Sequence, residues 1–323
     1  MSADLDSPAS PPDFSVYRCP VDGGPLRFEP ARPGSRSGVL VSEKGNKYPV
    51  DEGLPRFVED EGYSASFGFQ WNTHDRTQID SDNGSTITQD RFFRGTGWPR
   101  RMEGERILEV GCGSGRFTEV LVSTGADVCS LDYSRAADVT HRHFGDRVHV
   151  CQASIYDMPY EKASFDRVFC FGVIQHCPDV HAAFNKLTEM LKPGGHLALD
   201  VYDARRVPLN ARYRVRWLTK RLPKELLYQT IARAVPAYMR VMPPLHPYNQ
   251  LVFPIKDYRG VLPVSEAKAV ELSVLDTFDS LSPAHDRPQF RWTMKRWCRQ
   301  AGLVDIDASY AGNGIELRAR RPG

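Results

Sequence analysis

The chain has 323 residues, of which 41% are hydrophobic and 25% are charged. This composition is typical of a globular protein and excludes an intrinsically disordered or fibrous one. Its 42 basic and 40 acidic residues leave a formal net charge of +2, too close to neutral to indicate a nucleic acid partner by itself.

The first segment, residues 1–13, is rich in Ser, Pro and Asp, and we expect it to be a disordered tail. It lacks the basic and apolar stretches of a secretion signal, and no apolar run in the chain approaches the ~18 residues of a membrane-spanning helix. The seven cysteines are scattered through apolar runs, which favours reduced thiols over disulfides. These features predict a cytoplasmic protein.

Residues 14–60 contain short β-type runs separated by Gly and Pro, which predicts a small β module. The stretch that starts at Cys19 resembles small zinc-ribbon modules, which hold zinc through four soft ligands. Asp22, Ser42 and Gly45 occupy three of the four ligand places. Because serine and glycine cannot replace thiolates, we expect this module to be metal-free.

Residues 61–103 form an aromatic-rich bridge, with the segments 67–71 and 91–98 densest in aromatic side chains. Such density is typical of packing between domains. The alternative is that Trp71 covers a bound ligand, where an aromatic face would stabilise a positive charge.

Residues 104–203 and 291–323 alternate between strand-like and helix-like patterns, which predicts a mostly parallel sheet covered on both faces. Between them, residues 204–290 are rich in Arg, Pro and Tyr and partly helical, which indicates an inserted substrate lid. The basic run at 205–224 is either a solvated helix face or a grip for an anionic substrate. The predicted strands are 106–110, 127–131, 148–152, 165–171 and 196–201, the helices 117–123, 180–191 and 291–301, and the last β-type runs 303–309 and 313–319.

A glycine-rich turn, Gly111-Cys112-Gly113-Ser114-Gly115, follows the first of these strands and opens a helix. Glycines there let the backbone turn sharply and approach a nucleotide closely. The third glycine comes one residue too early for a dinucleotide fingerprint, and Glu109 would repel a diphosphate. An NAD oxidoreductase is therefore disfavoured, whereas Glu109 suits an ammonium group. Asp132, at the end of the next strand, is placed to accept both hydroxyls of a ribose.

Together with the segments 131–134, 164–168, 172–176 and 191–195, the run 107–115 resembles class I S-adenosylmethionine-dependent methyltransferases. The five segments occur in the order and spacing of that family across residues 105–202. The resemblance implies an α/β, Rossmann-like sheet of seven strands, mostly parallel, with an antiparallel last strand.

The resemblance also implies S-adenosyl-L-methionine as the cofactor. Residues 109–115 would hold its methionine part, Asp132 and Tyr133 its ribose and adenine, and Ser154 and Ile155 would flank the base. The expected cofactor site consists of Trp71, Arg94, Glu109, Gly111, Cys112, Gly113, Gly115, Asp132, Tyr133, Ser154, Ile155 and Phe171.

Methyl transfer requires alignment, exclusion of water and, for a hydroxyl or a protonated amine, a base. His176, just after the fourth strand, is the first candidate base, although a purely structural role suits it equally well. Tyr202 and Asp203 are second candidates, and no metal is required. We expect the substrate to contact His246, Tyr248, Tyr258 and His285 of the insertion.

The first functional hypothesis is an enzyme that methylates a small molecule, for example a specialised metabolite, at oxygen, nitrogen or carbon. A methyltransferase acting on RNA or another macromolecule is the first alternative, but the near-neutral charge disfavours a nucleic acid partner. A catalytically silent cofactor-binding protein is the second. No membrane partner is expected, and the sequence leaves the oligomeric state open, a homo-oligomer included.

Overall fold

A computed structural model describes residues 13–59, 62–64, 66–68, 70, 76–244, 249–262 and 264–323. Three predicted site residues, Trp71, His246 and Tyr248, lie outside these residues, as does nearly all of the predicted tail. No helix within the described ranges is long and apolar enough to cross a membrane.

The N-terminal residues form a small antiparallel sheet in the order β1-β2-β3-β4. Cys19, Asp22 and Ser42, at three of the four places expected for zinc ligands, meet in it with Asn46, the residue after the fourth place, Gly45. The Asn46 amide donates to Asp22 Oδ2 at 3.2 Å and to Ser42 Oγ at 3.2 Å, and lies 3.5 Å from Cys19 Sγ. Hydrogen bonds thus join this cluster. The strands are β1 (Leu26–Pro30), β2 (Gly38–Ser42), β3 (Lys47–Asp51) and β4 (Leu54–Pro55).

The main sheet follows from the apolar runs of the sequence, whose side chains are buried on both faces. Within the described residues it has seven strands, in the order β10-β11-β9-β8-β5-β6-β7. Only β11 runs antiparallel to the others, which confirms the predicted fold class. The strands are β5 (Arg106–Val110), β6 (Asp127–Asp132), β7 (His149–Gln152), β8 (Phe165–Cys170), β9 (Leu191–Val201), β10 (Val304–Tyr310) and β11 (Ile315–Arg320).

Helices flank this sheet and build the insertion. The order of the strands reverses at β5, because β6 lies on one side of it and β8, later in the chain, on the other. This reversal opens a crevice at the carboxyl ends of β5 and β8, where ligands bind in such sheets. The helices are α1 (Asp80–Asn83), α2 (Ile87–Thr96), α3 (Arg116–Ser123), α4 (Ala136–Phe144), α5 (Val180–Met190), α6 (Arg212–Thr219), α7 (Lys224–Val241), α8 (Asn249–Val252), α9 (Glu266–Leu281) and α10 (Arg291–Gln300).

The aromatic bridge before β5 packs onto the sheet through α2. Phe92 is fully buried, with its ring centroid 5.1 Å from that of Phe169 on β8 and 5.8 Å from that of Trp98. Burying a side chain of this size stabilises the fold by about 1.5–3 kcal/mol. These aromatic residues thus pack the bridge on the main sheet. This agrees with the first interpretation of the bridge, packing between parts of the chain.

The insertion has an apolar core of its own between α7 and α9. On α7, Leu227, Ile231 and Val235 recur every four residues and so lie on one face, against Val274 and Phe278 of α9. These residues pack α7 against α9 as a pair of helices. The sequence had indicated only partly helical structure for this stretch.

Two arginines of the basic run are buried in the insertion rather than solvated. Arg212 Nη2 lies 3.6 Å and Arg216 Nε 3.9 Å from Asp286 Oδ2, and all three side chains are less than a tenth exposed. Arg216 also donates to the carbonyl oxygens of Ser280 and Pro283 at 2.8 and 3.0 Å. This part of the basic run therefore holds the insertion together.

The N-terminal module lies against β7 of the main sheet. The backbone N–H of Phe57 donates to the Gln152 carbonyl at 2.8 Å, and Arg56 pairs with Gln152 in a parallel bridge. The Tyr17 hydroxyl donates to the Val150 carbonyl at 3.0 Å. Gln152 Nε2 in turn donates to the Tyr133 carbonyl at 3.1 Å, so the module is connected to the crevice through one residue.

Candidate active site

A cavity of about 580 Å³ lies in the crevice, and both the sheet and the insertion contribute to its wall. Its volume is within the ~300–1,000 Å³ of pockets for small ligands. The predicted residues that line it are Arg94, Gly111, Cys112, Gly113, Asp132, Tyr133, Ile155, Phe171, His176, Tyr202 and Tyr258.

The glycine turn puts backbone atoms directly into this wall. Gly111 has a φ of 81°, in the left-handed region that strains other residues. A Cβ on Gly111 would lie 2.2 Å from Val173 Cγ2, so packing against the loop after β8 excludes a side chain there. Gly115 does not line the cavity, and a Cβ there would lie 2.5 Å from Phe144. Both glycines thus keep the turn tight through packing as well as through φ.

The carboxylate of Asp132 is held at the end of β6 by its own chain. Gly113 N donates to Oδ2 at 3.0 Å, and Ser134 donates to Oδ1 from its backbone N and from Oγ, both at 2.8 Å. Burial raises the pKa of Asp132 despite these bonds. The residue lines the cavity, so a ligand bound there can contact its carboxylate.

Tyr133, the next residue, is covered from the bridge. Its ring stacks on that of Tyr63 with centroids 5.0 Å apart and planes 13° apart, and both residues line the cavity. Ile155 and Phe171 add apolar surface to the same wall. Ser154 does not line the cavity, because its hydroxyl accepts from Tyr156 N at 3.1 Å instead.

Glu109 lies between β6 and α3 rather than in the cavity wall. Its Oε2 accepts from Thr118 Oγ1 at 2.6 Å and from Ser130 Oγ at 2.7 Å, and the residue is 1% exposed. Burial raises the pKa of Glu109 to about 7, although the two hydrogen bonds act in the opposite direction. The expected contact of Glu109 with a cofactor ammonium therefore stays a prediction.

His176 lines the cavity, and one of its ring nitrogens has no hydrogen-bond partner among the described residues. It lies in a short helical turn, Ile174–His176, after β8. Its Nδ1 is 3.0 Å from the carbonyl oxygen of His285. Because a carbonyl only accepts, Nδ1 carries the hydrogen, and Nε2 of the neutral ring is an acceptor. Nε2 is buried and has no hydrogen-bond partner in the part of the chain that is described.

The second candidates for catalysis separate in the structure. Tyr202 lines the cavity, and its ring centroid is 5.5 Å from that of His176. Asp203 does not face the cavity as expected, because its carboxylate binds Arg205 at 2.8 Å and caps the turn Ala204–Arg206. His285 reaches His176 through its backbone, and its side chain does not line the cavity.

Several charged residues of the cavity were missed by sequence reasoning. Asp276 accepts a hydrogen bond from the Tyr258 hydroxyl, and Asp279 lies 3.5 Å from the Tyr202 hydroxyl. Burial raises the pKa of Asp279, and burial together with Arg212 lowers that of Lys256. Asp276 and Asp279 are three residues apart and therefore lie on one face of α9. This spacing was the sequence signal that could have identified them. The missed charged residues that line the cavity include Arg91, Arg116, Lys256, Asp276 and Asp279, and Arg212 of the basic run 205–224 lines it as well.

Metal ligands were not expected in this site. Among the residues that the structure describes, no cluster of three or more His, Cys, Asp or Glu side chains is arranged to hold a metal ion.

Comparison with known proteins matches residues 108–199 to a family described as a methyltransferase domain. The ubiquinone biosynthesis O-methyltransferase of Alkalilimnicola ehrlichii is 33% identical over 107 residues, 32% of this chain and 43% of that protein. The enzyme of the same name from Xanthomonas axonopodis pv. citri is 34% identical over 105 residues, 31% of this chain and 44% of that protein. The chain thus spans less than half the length of these relatives.

Among solved structures, phosphoethanolamine N-methyltransferase 2 of Haemonchus contortus has a TM-score of 0.45 at 15% identity, over 86% of this chain and 62% of that one. A likeness at this level carries no argument about activity. The matched stretch itself contains the glycine turn, Asp132 and His176. Residues 108–199 of the chain are therefore similar to the methyltransferase domain family.

Proposed function

We propose that the protein transfers a methyl group from S-adenosyl-L-methionine to a small-molecule acceptor. The observation that carries this proposal is that one cavity joins the glycine turn and Asp132 of the matched domain to His176 and the insertion. A cofactor subsite and an acceptor subsite in one enclosure are what a direct displacement between two bound molecules requires.

The residues present fit this cofactor. The backbone of Gly111 and Gly113 leaves room for the methionine part, and Asp132 lines the cavity, where its carboxylate can contact a ribose hydroxyl. Ile155 and Tyr133 offer an apolar and an aromatic surface to a nucleobase. When bound, S-adenosylmethionine supplies an electrophilic methyl group on a sulfonium.

His176 supports a role as the base in this reaction. The carbonyl of His285 fixes the tautomer with Nδ1 protonated, which leaves the Nε2 lone pair without a partner among the described residues, on a side chain that lines the cavity. An acceptor hydroxyl or amine bound there can pass its proton to Nε2 as the new bond to carbon forms.

A small acceptor is favoured over a macromolecule because the insertion encloses the acceptor side of the cavity with its own polar groups. Lys256, Tyr258 and Asp276 lie there, on a segment outside the matched domain. The relatives named above act, by their names, in ubiquinone biosynthesis as O-methyltransferases. We propose a polar small molecule with a hydroxyl or amine as the acceptor class.

Titration calorimetry of the purified protein with S-adenosylmethionine, S-adenosylhomocysteine and NAD tests the cofactor. Binding of the first two at micromolar concentration, without binding of NAD, is the expected result. Binding of NAD alone, or of none of the three, would overturn the proposed function. A positive result is followed by a screen of phenols and amines for methylated product.

A further inference from the structure

The helix α6 of the insertion exposes its largest apolar side chains and buries two of its three arginines. Arg212 and Arg216, on the side that faces Asp286, are less than a tenth exposed. Trp217 is 62% exposed and Leu218 49%. With about 3.6 residues per turn, these two side chains lie opposite the two arginines. Helices on the surface of a globular protein normally have the reverse arrangement, with the apolar side towards the core.

Exposed basic residues lie around this apolar pair. Arg214 comes three residues before Trp217 and so lies on the same side of α6. Arg221, just beyond the helix, donates to the Trp217 carbonyl, and Lys220 precedes it. None of these three cations forms an ion pair within the described residues. Arg214, Trp217, Leu218, Lys220 and Arg221 together are here called the α6 face.

The sequence around the α6 face is far more basic than the chain as a whole. Residues 204–256 contain eleven basic residues and one acidic residue, Glu225, whereas the whole chain has a net charge of only +2. Of the eleven, Arg205, Arg212 and Arg216 pair with carboxylates outside this segment. Positive charge is thus concentrated on this part of the insertion. It attracts an anionic partner and repels a second copy of the same surface.

We propose that the α6 face binds to the surface of an anionic lipid bilayer. Trp217 and Leu218 enter the boundary between headgroups and acyl chains, where tryptophan side chains concentrate, and the basic residues lie against the anionic headgroups. The sequence predicted no membrane partner, because no run of it can span a bilayer, but binding at the surface needs no such run.

The apolar part of the face favours a bilayer over a nucleic acid. A nucleic acid would match the charge, and a tryptophan can stack on its bases. Leu218, and Leu226 at the start of α7, which is 53% exposed, offer no ring to stack and gain most from an apolar environment. Because Arg212 of the same helix lines the cavity, bilayer binding would also bring the cavity close to the lipid.

Sedimentation of the full chain with lipid vesicles tests this proposal, whatever the outcome for the proposed function. Vesicles of phosphatidylcholine alone are compared, at physiological salt, with vesicles that also contain phosphatidylglycerol. The protein should bind the second kind and not the first. Trp217→Gln should weaken this binding by roughly tenfold, because apolar burial is lost. Arg214→Gln together with Arg221→Gln should weaken it by roughly 30-fold, and high salt should have a similar effect.

Trp292→Gln is the matched control, since Trp292 is 60% exposed on a different helix, α10. It should leave vesicle binding unchanged. Lipids brominated in their acyl chains should quench the tryptophan fluorescence of the bound protein, and Trp217→Phe, which keeps an aromatic ring, should lose most of the quenching. This second measurement decides the matter if Trp217→Gln does not fold.

Four results would overturn the proposal. These are equal binding to both kinds of vesicle, absence of vesicle binding, an equal loss in Trp292→Gln, and unchanged quenching in Trp217→Phe. Binding of a single-stranded RNA by a protein that ignores the vesicles would assign the charge to a nucleic acid instead.

Discussion

The buried carboxyl of Glu109 makes the stability of this fold depend on pH. Its pKa is about 7 in the folded chain against an ordinary value of 4.5, because burial penalises the charged form. Between these two pH values the folded chain keeps a proton that the unfolded chain has released. The free energy of unfolding therefore falls as the pH rises through this window. At ~1.4 kcal/mol per pKa unit, the whole fall is about 3 kcal/mol.

Glu109→Gln removes the ionisation and keeps an oxygen that accepts from Thr118 and Ser130. We compare the free energy of unfolding of the variant with that of the wild type. As the pH rises from about 4.5 to about 8, we expect this difference to shift in favour of the variant by about 3 kcal/mol. Urea unfolding at the two pH values measures the gain. Glu103→Gln, on an exposed carboxylate, is the matched control. The same pH dependence in Glu109→Gln and in the wild type would refute the reasoning.

Asp132→Ala should weaken binding of S-adenosylmethionine by about tenfold or more, since a charged acceptor is lost; an unchanged Kd in calorimetry would contradict the ribose assignment. Gly111→Ala should lower the free energy of unfolding more than Gly104→Ala, by about 1–3 kcal/mol. Both glycines have a φ of 81°, but only at Gly111 would the Cβ clash, so equal urea midpoints would argue against the packing at Val173. His176→Ala should reduce turnover of an identified acceptor by about 100-fold with little change in cofactor affinity, and unreduced turnover would exclude His176 as the base.

The sheet and its crevice were predictable because their signals are local. The apolar runs gave the strands to within a few residues, and the glycine turn gave the place of the crevice. Glu109 shows where such local signals end. Its neighbour Val110 lines the cavity, and successive side chains of a strand point to opposite faces, so the carboxylate meets Thr118 and Ser130 instead of the cavity.

The acceptor side depends on contacts between distant parts of the chain, which no local pattern contains. The sequence offered a solvated helix face as one interpretation of the run that contains Arg212 and Arg216. Their acidic partner, Asp286, follows some seventy residues later, so no local pattern indicates that the two arginines are buried. Lys256 likewise has no recognisable motif and joins the cavity only through the fold of the insertion. Of the acidic residues of this region, Asp276 and Asp279 offered a signal in their spacing, which needed the exact position of α9.

The contact of the N-terminal module with β7 also bears on the solubility of the domain. A strand at the border of a sheet exposes unpaired backbone groups that can template pairing with another chain. Here Phe57 N and the Tyr17 hydroxyl occupy the carbonyls of Gln152 and Val150. A shortened protein that begins after the module would present β7 as an open border, and we expect it to aggregate even where the sheet itself still forms.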